Sequence, residues 1–175
     1  LKNLQFTLIT RPDITKVEDL KGKTIATQGK GASEYIVRYV LRQAGLDDEK
    51  DVQWVSMGNQ TSELAAITAD QIQAYAAVPP YDVQAKSQGM NVLLYFKDVL
   101  PKLPTASIAA PGPALKKDPK LYKDFLAALV ESTNWVIENP DEAVKVLMRA
   151  SNIDEASAKA AFEETLPLYS ETGVI

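Results

Sequence analysis

The feature that most constrains the fold is a change of pattern near residue 111. Up to that point, short apolar runs typical of strands alternate with segments of helical periodicity. From Ala114 to Ser170 only helical patterns occur. Strands are predicted at about residues 4–10, 23–27, 52–55, 72–78, 91–96 and 105–110. The alternation predicts a mostly parallel α/β sheet, and the helical tail needs another layer to cover.

Helical periodicity predicts one turn at Val17 to Leu20 and a helix that stops at Gly45. On that helix, Tyr35, Ile36, Tyr39, Val40 and Leu41 are expected to form one apolar stripe. Further helices are predicted at about residues 62–69, 80–88, 119–138, 141–150 and from 154 onward. We also expect Trp54 and Trp135 to be core residues, and the acidic clusters at 47–49 and 163–164 to be solvated.

The composition is that of an ordinary globular protein and narrows the range of functions. Of the 175 residues, 46% are hydrophobic and 24% are charged, and the net charge is −4 with basic residues scattered among acidic ones. Binding to nucleic acid or to an acidic membrane surface would require a basic patch, so neither is predicted. No apolar run is long enough to span a bilayer.

The sequence contains neither cysteine nor histidine, which limits the chemistry that it can perform. Thiolate nucleophiles and cysteine-based zinc sites are thereby excluded. The commonest general base and the commonest metal ligand are also missing. We therefore predict that the chain is not an enzyme and that it has no catalytic residue, no metal site and no cofactor.

A glycine-rich turn between the second predicted strand and the following helix is the first candidate site. It consists of Gln28, Gly29, Lys30, Gly31, Ala32 and Ser33. Two glycines let backbone N–H groups approach a ligand, and the first turn of a helix adds unpaired donors and a partial positive charge. The turn could hold a carboxylate, sulfonate or phosphate group. The alternative is a tight strand-to-helix connection with no ligand, and the third glycine of a dinucleotide-binding motif is absent.

Two further strand ends carry candidate residues. Asn59 lies in a polar strand-to-helix junction, where it either lines the site or simply caps the helix. Val78, Pro79 and Tyr81 form a proline-containing segment that either walls a pocket or only packs. Because ligands of open α/β sheets collect at the carboxyl ends of parallel strands, all three segments are expected at one edge.

Several segments resemble type II periplasmic binding proteins. The run from Val17 to Ala26 resembles the "DLKGKKIA" segment of that family, and the glycine-rich turn that follows it matches as well. The segments at 64–74, 78–81 and 139–143 resemble its "ALxxGxIDA", proline-loop and "NPxEA" motifs, but Asp70 and Gln73 replace the usual glycine and aspartate. The most similar branch binds nitrate, sulfonates, taurine and thiamine pyrimidine precursors.

The resemblance implies a periplasmic-binding-protein type II fold, with two α/β lobes and a ligand cleft between them. Residues 11–107 would form one complete lobe, and residues 1–10 and 108–175 would be hinge strands and helices of an incomplete first lobe. By matching position, Gly29, Gly31, Ala32 and Ser33 would hold the polar head of the ligand, and Asn59 and the segment from Val78 to Tyr81 would line the same cleft.

The function implied by the resemblance is capture of a small, anionic organic ligand for an ABC importer, whose permease would be the protein partner. The location would be periplasmic or extracytoplasmic, with a lipid anchor as one variant. The alternatives are an enzyme on the same fold, such as a thiamine-pyrimidine synthase, and a ligand-sensing domain of a signalling protein. A chain that lacks half a lobe would expose apolar helix faces, so self-association is also expected.

Overall fold

The structure, a computed structural model, describes residues 4–101, 103 and 107–169. The chain divides into two compact units. The first spans Gln5–Pro101 and contains the sheet, and the second contains the helices from Gly112 onward. The interpretation of these units as lobes of a larger fold, with boundaries at 10/11 and 107/108, stays a prediction.

Five strands form a single mixed sheet in the described part of the first unit, in the order β3-β2-β4-β1-β5. They are β1 (Thr7–Thr10), β2 (Thr24–Thr27), β3 (Gln53–Ser56), β4 (Ala74–Ala77) and β5 (Asn91–Tyr95). β2 pairs in parallel with β3 and β4, whereas β1 pairs antiparallel with β4 and β5. Four strands thus share one direction, and the reversed strand, β1, lies inside the sheet of this unit.

The predicted helices of the first unit are present. They are a 3-10 turn (Val17–Leu20), α1 (Ala32–Gln43), α2 (Gln60–Thr68) and α3 (Tyr81–Ser87). The short α4 (Phe96–Val99) was not predicted, and its first residue lies in the strand predicted at 91–96. The stripe predicted on α1 is wrong in part, because Tyr35 is 69% exposed and Tyr39 39% exposed. The buried face carries Ile36 and Val40 with Val37 and Leu41, and residues one position earlier are turned by about 100° toward solvent.

Two inner strands of the sheet, β1 and β4, are buried along their whole length. Strands covered on both faces need continuous apolar sequence, which Leu8 and Ile9 supply in β1 and Ala74–Ala77 supplies in β4. The polar positions of β1 are satisfied internally, since Thr10 donates its hydroxyl proton to the backbone oxygen of Ile14 at 3.2 Å. The sheet therefore provides a rigid support for the loops at its edges.

The acidic cluster at 47–49 contains a buried residue, which corrects the prediction that it is solvated. Asp48 is 6% exposed and accepts hydrogen bonds from Arg42 and Arg38. These hydrogen bonds lower the pKa of Asp48 to about 2. The Arg38 guanidinium also lies 4.5 Å from the ring centroid of the half-buried Trp54, whose indole N–H donates to the Asp48 backbone oxygen. The network ties α1 to the segment that precedes β3.

The turn before β4 explains both departures from the family motif. Asp70 has a φ of +58°, the left-handed conformation for which glycine is best suited and which aspartate tolerates. Its carboxylate pairs with Arg11 at 3.2 Å. Gln73 accepts a hydrogen bond from the backbone N–H of Thr24 at 3.1 Å, so the side chain that replaces the usual aspartate joins β4 to β2.

The regular structure in the described residues of the second unit is entirely helical. It comprises α5 (Gly112–Lys117), α6 (Pro119–Glu138), α7 (Pro140–Ser151), α8 (Glu155–Thr165) and a 3-10 turn (Leu166–Leu168). Asn139 and Asp154 are the N-cap residues of α7 and α8, and the Asp154 carboxylate accepts a hydrogen bond from the N–H of Ser157. Within residues 4–101, 103 and 107–169, no helix has the length and apolarity needed to cross a membrane.

Two predictions for the second half of the chain are wrong. The strand predicted at 105–110 is absent from its described residues, 107–110, which form no regular structure; 105 and 106 lie outside the described residues. Trp135 is 45% exposed and is not a core residue. No residue of α6 is buried, and its exposed apolar side chains include Leu121, Phe125, Leu126 and Leu129. Helical periodicity identified the helix but could not show whether another layer covers it.

Candidate ligand-binding site

Three loops that carry the candidate residues lie at one edge of the sheet. Thr27 and Ser56 are paired at the carboxyl ends of β2 and β3, and β4 runs parallel to β2 on its other side. The backbone N–H of Met57 donates to the Thr27 oxygen at 2.8 Å, which joins the first loop to the second. The structure therefore brings together the segments that sequence reasoning assigned to one site.

The first loop bends because its glycine adopts a conformation that other residues avoid. Gly29 has a φ of +121°, and its N–H donates to the Thr27 hydroxyl oxygen at 3.3 Å. Gly31 has extended backbone and is the N-cap residue of α1. Gln28, Lys30 and Ala32 are exposed, while Gly29 and Gly31 are half-buried. The loop thus presents backbone and polar groups to solvent at the start of a helix.

The N-terminus of α1 is open. Among the described residues no side chain caps it, and the N–H groups of Ala32 and Ser33 have no acceptor. Ser33 is only 9% exposed, and its hydroxyl has no hydrogen-bond partner in the same part of the chain. Glu34, the acidic residue of the first turn, forms an ion pair with Arg38, in which Oε1 of Glu34 lies 2.8 Å from Nε of Arg38. Unpaired amides and a free hydroxyl at the positive end of a helix dipole are suited to an anion.

The second loop leads into α2, whose N-terminus is closed. The Asn59 side-chain oxygen accepts the N–H of Ser62 at 2.9 Å, which is the capping role that the sequence had left open. Asn59 itself is exposed, and the amide nitrogen of its side chain remains available as a donor. Whether this group also contacts a ligand stays a prediction.

The third loop is fixed by a residue that sequence reasoning missed. Gln60 is 8% exposed; it donates to the Ala76 oxygen at 3.0 Å and accepts from the Val78 N–H at 3.2 Å. The Pro79–Pro80 peptide bond is cis, and Val78 and Pro79 are half-buried. A polar residue in the first turn of a helix is usually expected at the surface. The burial of Gln60 against β4 therefore could not be predicted from the sequence.

Tyr81 connects the second and third loops. Its hydroxyl oxygen accepts a hydrogen bond from the Thr61 hydroxyl at 3.3 Å, and its N–H donates to the Val78 oxygen at 2.8 Å. The ring is half-buried and packs against the apolar cluster that contains Ile67 and Ala77. Part of the Tyr81 ring is thus used for packing, and whether Tyr81 also lines a ligand pocket stays a prediction.

A buried carboxyl group at this edge was also missed. Glu63 of α2 is 1% exposed, and its Oε2 accepts a hydrogen bond from Nε2 of Gln28 at 3.2 Å. Burial raises the pKa of Glu63 to about 7, an effect that the Gln28 hydrogen bond only partly opposes. The only hint in the sequence is that Glu63 directly precedes the apolar run at 64–67. In the described residues no group of acidic side chains could hold a metal ion.

The comparison with protein families identifies the chain. The model of the "NMT1/THI5 like" family matches residues 2–143. The chain belongs to this family. Its five-stranded sheet and helices have the fold of type II periplasmic binding proteins, as the resemblance in the sequence implied.

Individual relatives are similar over nearly all of this chain. The riboflavin-binding protein RibY of Chloroflexus aurantiacus is 26% identical over 163 residues, which are 89% of this chain and 45% of the relative. The periplasmic aliphatic sulphonate binding protein SsuA of Escherichia coli is 23% identical, with a TM-score of 0.78 over 94% of this chain and 53% of SsuA. The desulfurization enzyme DszB shares the fold at 12% identity, with a TM-score of 0.60 over 95% of this chain and 71% of the enzyme. The chain spans about half the length of the binding proteins it matches.

Proposed function

We propose that this chain is part of the solute-binding component of an ABC importer and that it captures a small organic anion. The observation that carries the proposal is the open start of α1, where two backbone N–H groups and the Ser33 hydroxyl have no partner among the described residues. Such a cluster of donors binds a sulfonate, carboxylate or phosphate without any cation. Relatives named as binding proteins for small molecules support a solute-binding role.

The mechanism is capture by closure. The anionic head group first binds the amides of Ala32 and Ser33, while the half-buried Val78, Pro79 and Tyr81 offer apolar surface to the remainder of the ligand. A second lobe then closes over the bound ligand, and the closed form is what a permease recognises. A protein with this role would work outside the cytoplasmic membrane, where an importer collects its substrate.

The proposal is tested by isothermal titration calorimetry of the intact protein with ethanesulfonate, propionate and a neutral pyrimidine. We expect an anion to bind and Ser33→Ala to weaken its binding by about ten- to a hundredfold, which corresponds to the loss of one hydrogen bond to a charged group. The matched control is Ser87→Ala on α3, an exposed serine whose hydroxyl donates to the Gln84 oxygen. Equal affinity in the Ser33 and Ser87 variants, or no binding of any anion, overturns the proposal.

The rival function is an enzyme on the same fold, which DszB shows to be compatible with this architecture. Binding and catalysis are separated by what happens to the ligand. A binding protein returns ethanesulfonate unchanged after prolonged incubation, as measured by mass spectrometry of the released ligand. Release of sulfite or any other product would identify an enzyme.

We also expect the 175-residue chain to self-associate when it is produced alone. Phe125 and Leu126 are 54% and 47% exposed on α6, and apolar surface of this kind drives association in water. Light scattering is expected to report a species larger than a monomer, and Phe125→Glu to shift it toward the monomer. A monomer at all concentrations contradicts this expectation.

A further inference from the structure

A buried carboxyl group is hydrogen-bonded to the first residue of the loop that leads to the open start of α1. Glu63 has almost no contact with solvent, yet its Oε2 is 3.2 Å from Nε2 of Gln28. Gln28 is exposed and begins the loop that carries the unpaired amides. The side chain of Gln28 therefore links an internal acid to the loop whose last residues would receive a ligand.

No positive charge among the described residues neutralises this acid. The elements that pack most extensively against α2 are β4 and α3. The fully buried Tyr75 of β4 interacts with Glu63, and the fully buried Asp82 of α3 interacts with Tyr75. The Tyr75 hydroxyl has no hydrogen-bond partner among the described residues, and burial, with the charges of Glu63 and Asp82, raises its pKa. The Asp82 carboxylate accepts a hydrogen bond from the Thr7 hydroxyl group. A negative charge on Glu63 is therefore poorly compensated, and its pKa of about 7 follows from burial.

The protonation state of Glu63 decides how the Gln28 amide is oriented. An ionised carboxylate only accepts hydrogen bonds, so it holds the NH₂ group of Gln28. A protonated carboxyl group can donate its O–H to the Gln28 carbonyl oxygen, which requires a half-turn of the amide. That half-turn releases both N–H groups of Gln28 toward the loop. An anion at the amides of Ala32 and Ser33 is attracted by these N–H groups and repelled by a carbonyl oxygen and by a buried carboxylate.

We propose that Glu63 is a positioning residue that couples binding of an anionic head group to uptake of one proton, through the orientation of the Gln28 amide. This inference rests on the proposed function. The proton comes from solvent, resides on the Glu63 carboxyl group while the anion is bound, and returns to solvent when the anion leaves. No covalent bond of the ligand changes.

The test is the affinity for ethanesulfonate from about pH 5.5 to about pH 8.5, measured by calorimetry. A sulfonate stays ionised throughout, so any pH dependence belongs to the protein. Above about pH 7 the dissociation constant of the wild-type protein is expected to rise by up to tenfold per pH unit. Titrations in two buffers with different ionisation enthalpies should show uptake of about one proton near pH 8.

Three variants test whether Glu63 carries the proton that is taken up when the anion binds. Glu63→Gln carries a neutral amide that can donate to Gln28, so its dissociation constant should not change with pH. Gln28→Leu, at an exposed position, should bind more weakly and with a reduced slope even if the first variant folds poorly. Glu49→Gln, the same change at an exposed glutamate of the same unit, should follow the wild-type curve.

The outcomes separate this inference from the proposed function. Binding that does not depend on pH in the wild-type protein, or a slope that persists in Glu63→Gln, overturns the role of Glu63 alone. Absence of anion binding at every pH overturns the proposed function and this inference with it.

Discussion

The helices α1 and α2 start at the same edge of the sheet, yet one start is open and the other is closed. Asn59 supplies the side-chain oxygen that caps α2, whereas Gly31 has no side chain to offer α1. Both residues have extended backbone, so the difference is one of side chains and not of helix geometry. A helix that lacks a cap leaves its first N–H groups to water or to a ligand.

The same comparison holds for the acidic residue in each first turn. Glu34 of α1 is turned away from the amides by its ion pair with Arg38, while Glu63 of α2 is buried and contacts the first loop through Gln28. The N-terminus of α2 is thus capped by its own residue Asn59, and α2 also holds the loop before α1 through the hydrogen bond between Glu63 and Gln28. In the proposed binding site, groups that are already paired would hold the unpaired donors in place.

The largest expected effect concerns the acid of the closed helix. Because the pKa of Glu63 is raised from 4.5 to about 7, the folded protein holds a proton that the unfolded chain releases between these values. The free energy of unfolding should therefore fall by about 3 kcal/mol as the pH rises from about 4.5 through 7. Glu63→Gln removes this contribution, so the difference between variant and wild type in urea unfolding should change by that amount between pH 4.5 and pH 8.

Other titrating groups are common to both proteins and cancel in that difference. A difference that stays constant across the pH range would mean that Glu63 is not protonated near neutrality. The coupling proposed for the open helix would then lose its support.

The second effect concerns the bend that opens α1. Gly29→Ala places a side chain at a φ of +121°, which should lower the free energy of unfolding by about 1–3 kcal/mol. The cost is in the backbone, since the added Cβ would meet only the Ser56 hydroxyl oxygen at 3.9 Å. Gly31→Ala is the control, because its backbone is extended and the change should stay within about 0.5 kcal/mol. Equal losses in the two variants would show that the positive φ is not what shapes the loop.

Much of this edge could be predicted from the sequence because it depends on local signals. Glycines and prolines ended the apolar runs, and parallel strands necessarily place their carboxyl ends together. The reversed direction of β1 could not be predicted, since it depends on pairing with β4 some 70 residues away along the chain, as in Thr7 with Ala77. An apolar run has the same pattern in either direction.

Burial of polar residues was likewise invisible in the sequence. Gln28 and Glu63 are 35 positions apart, and only the packing of α2 on the sheet makes them partners. Asp48 was expected in solvent because two neighbouring acids suggest a surface, but Arg38 and Arg42 compensate its charge. Sequence periodicity reports which face of a helix is apolar, whereas the pairing of individual polar groups depends on tertiary contacts.

The third effect is expected when a capping side chain is added at the open start of α1. Gly31→Asp provides a carboxylate at the N-cap of α1, where extended backbone already suits a capping residue. We expect a gain of a few tenths of a kcal/mol in stability and a loss of about tenfold or more in ethanesulfonate affinity, since the carboxylate competes for the same amides. Gly31→Asn separates the cap from its charge and should lose less affinity. Unchanged affinity in the aspartate variant would place the anion elsewhere.

The smallest expected effect comes from removing the cap of α2. It separates the two possible roles of Asn59, which are capping the helix and contacting a ligand. Asn59→Ala should lower the free energy of unfolding by about 1 kcal/mol, because the N–H of Ser62 loses its acceptor. Asn59→Ser keeps an acceptor oxygen at that position and should restore most of the stability. Both variants lack the side-chain NH₂ group, so if that group lines the cleft both should lose the same two- to fivefold in affinity, about 0.5–1 kcal/mol. Affinity that instead follows stability from Ala to Ser would leave Asn59 with the capping role only, and the ligand would then be held by α1 and the third loop without it.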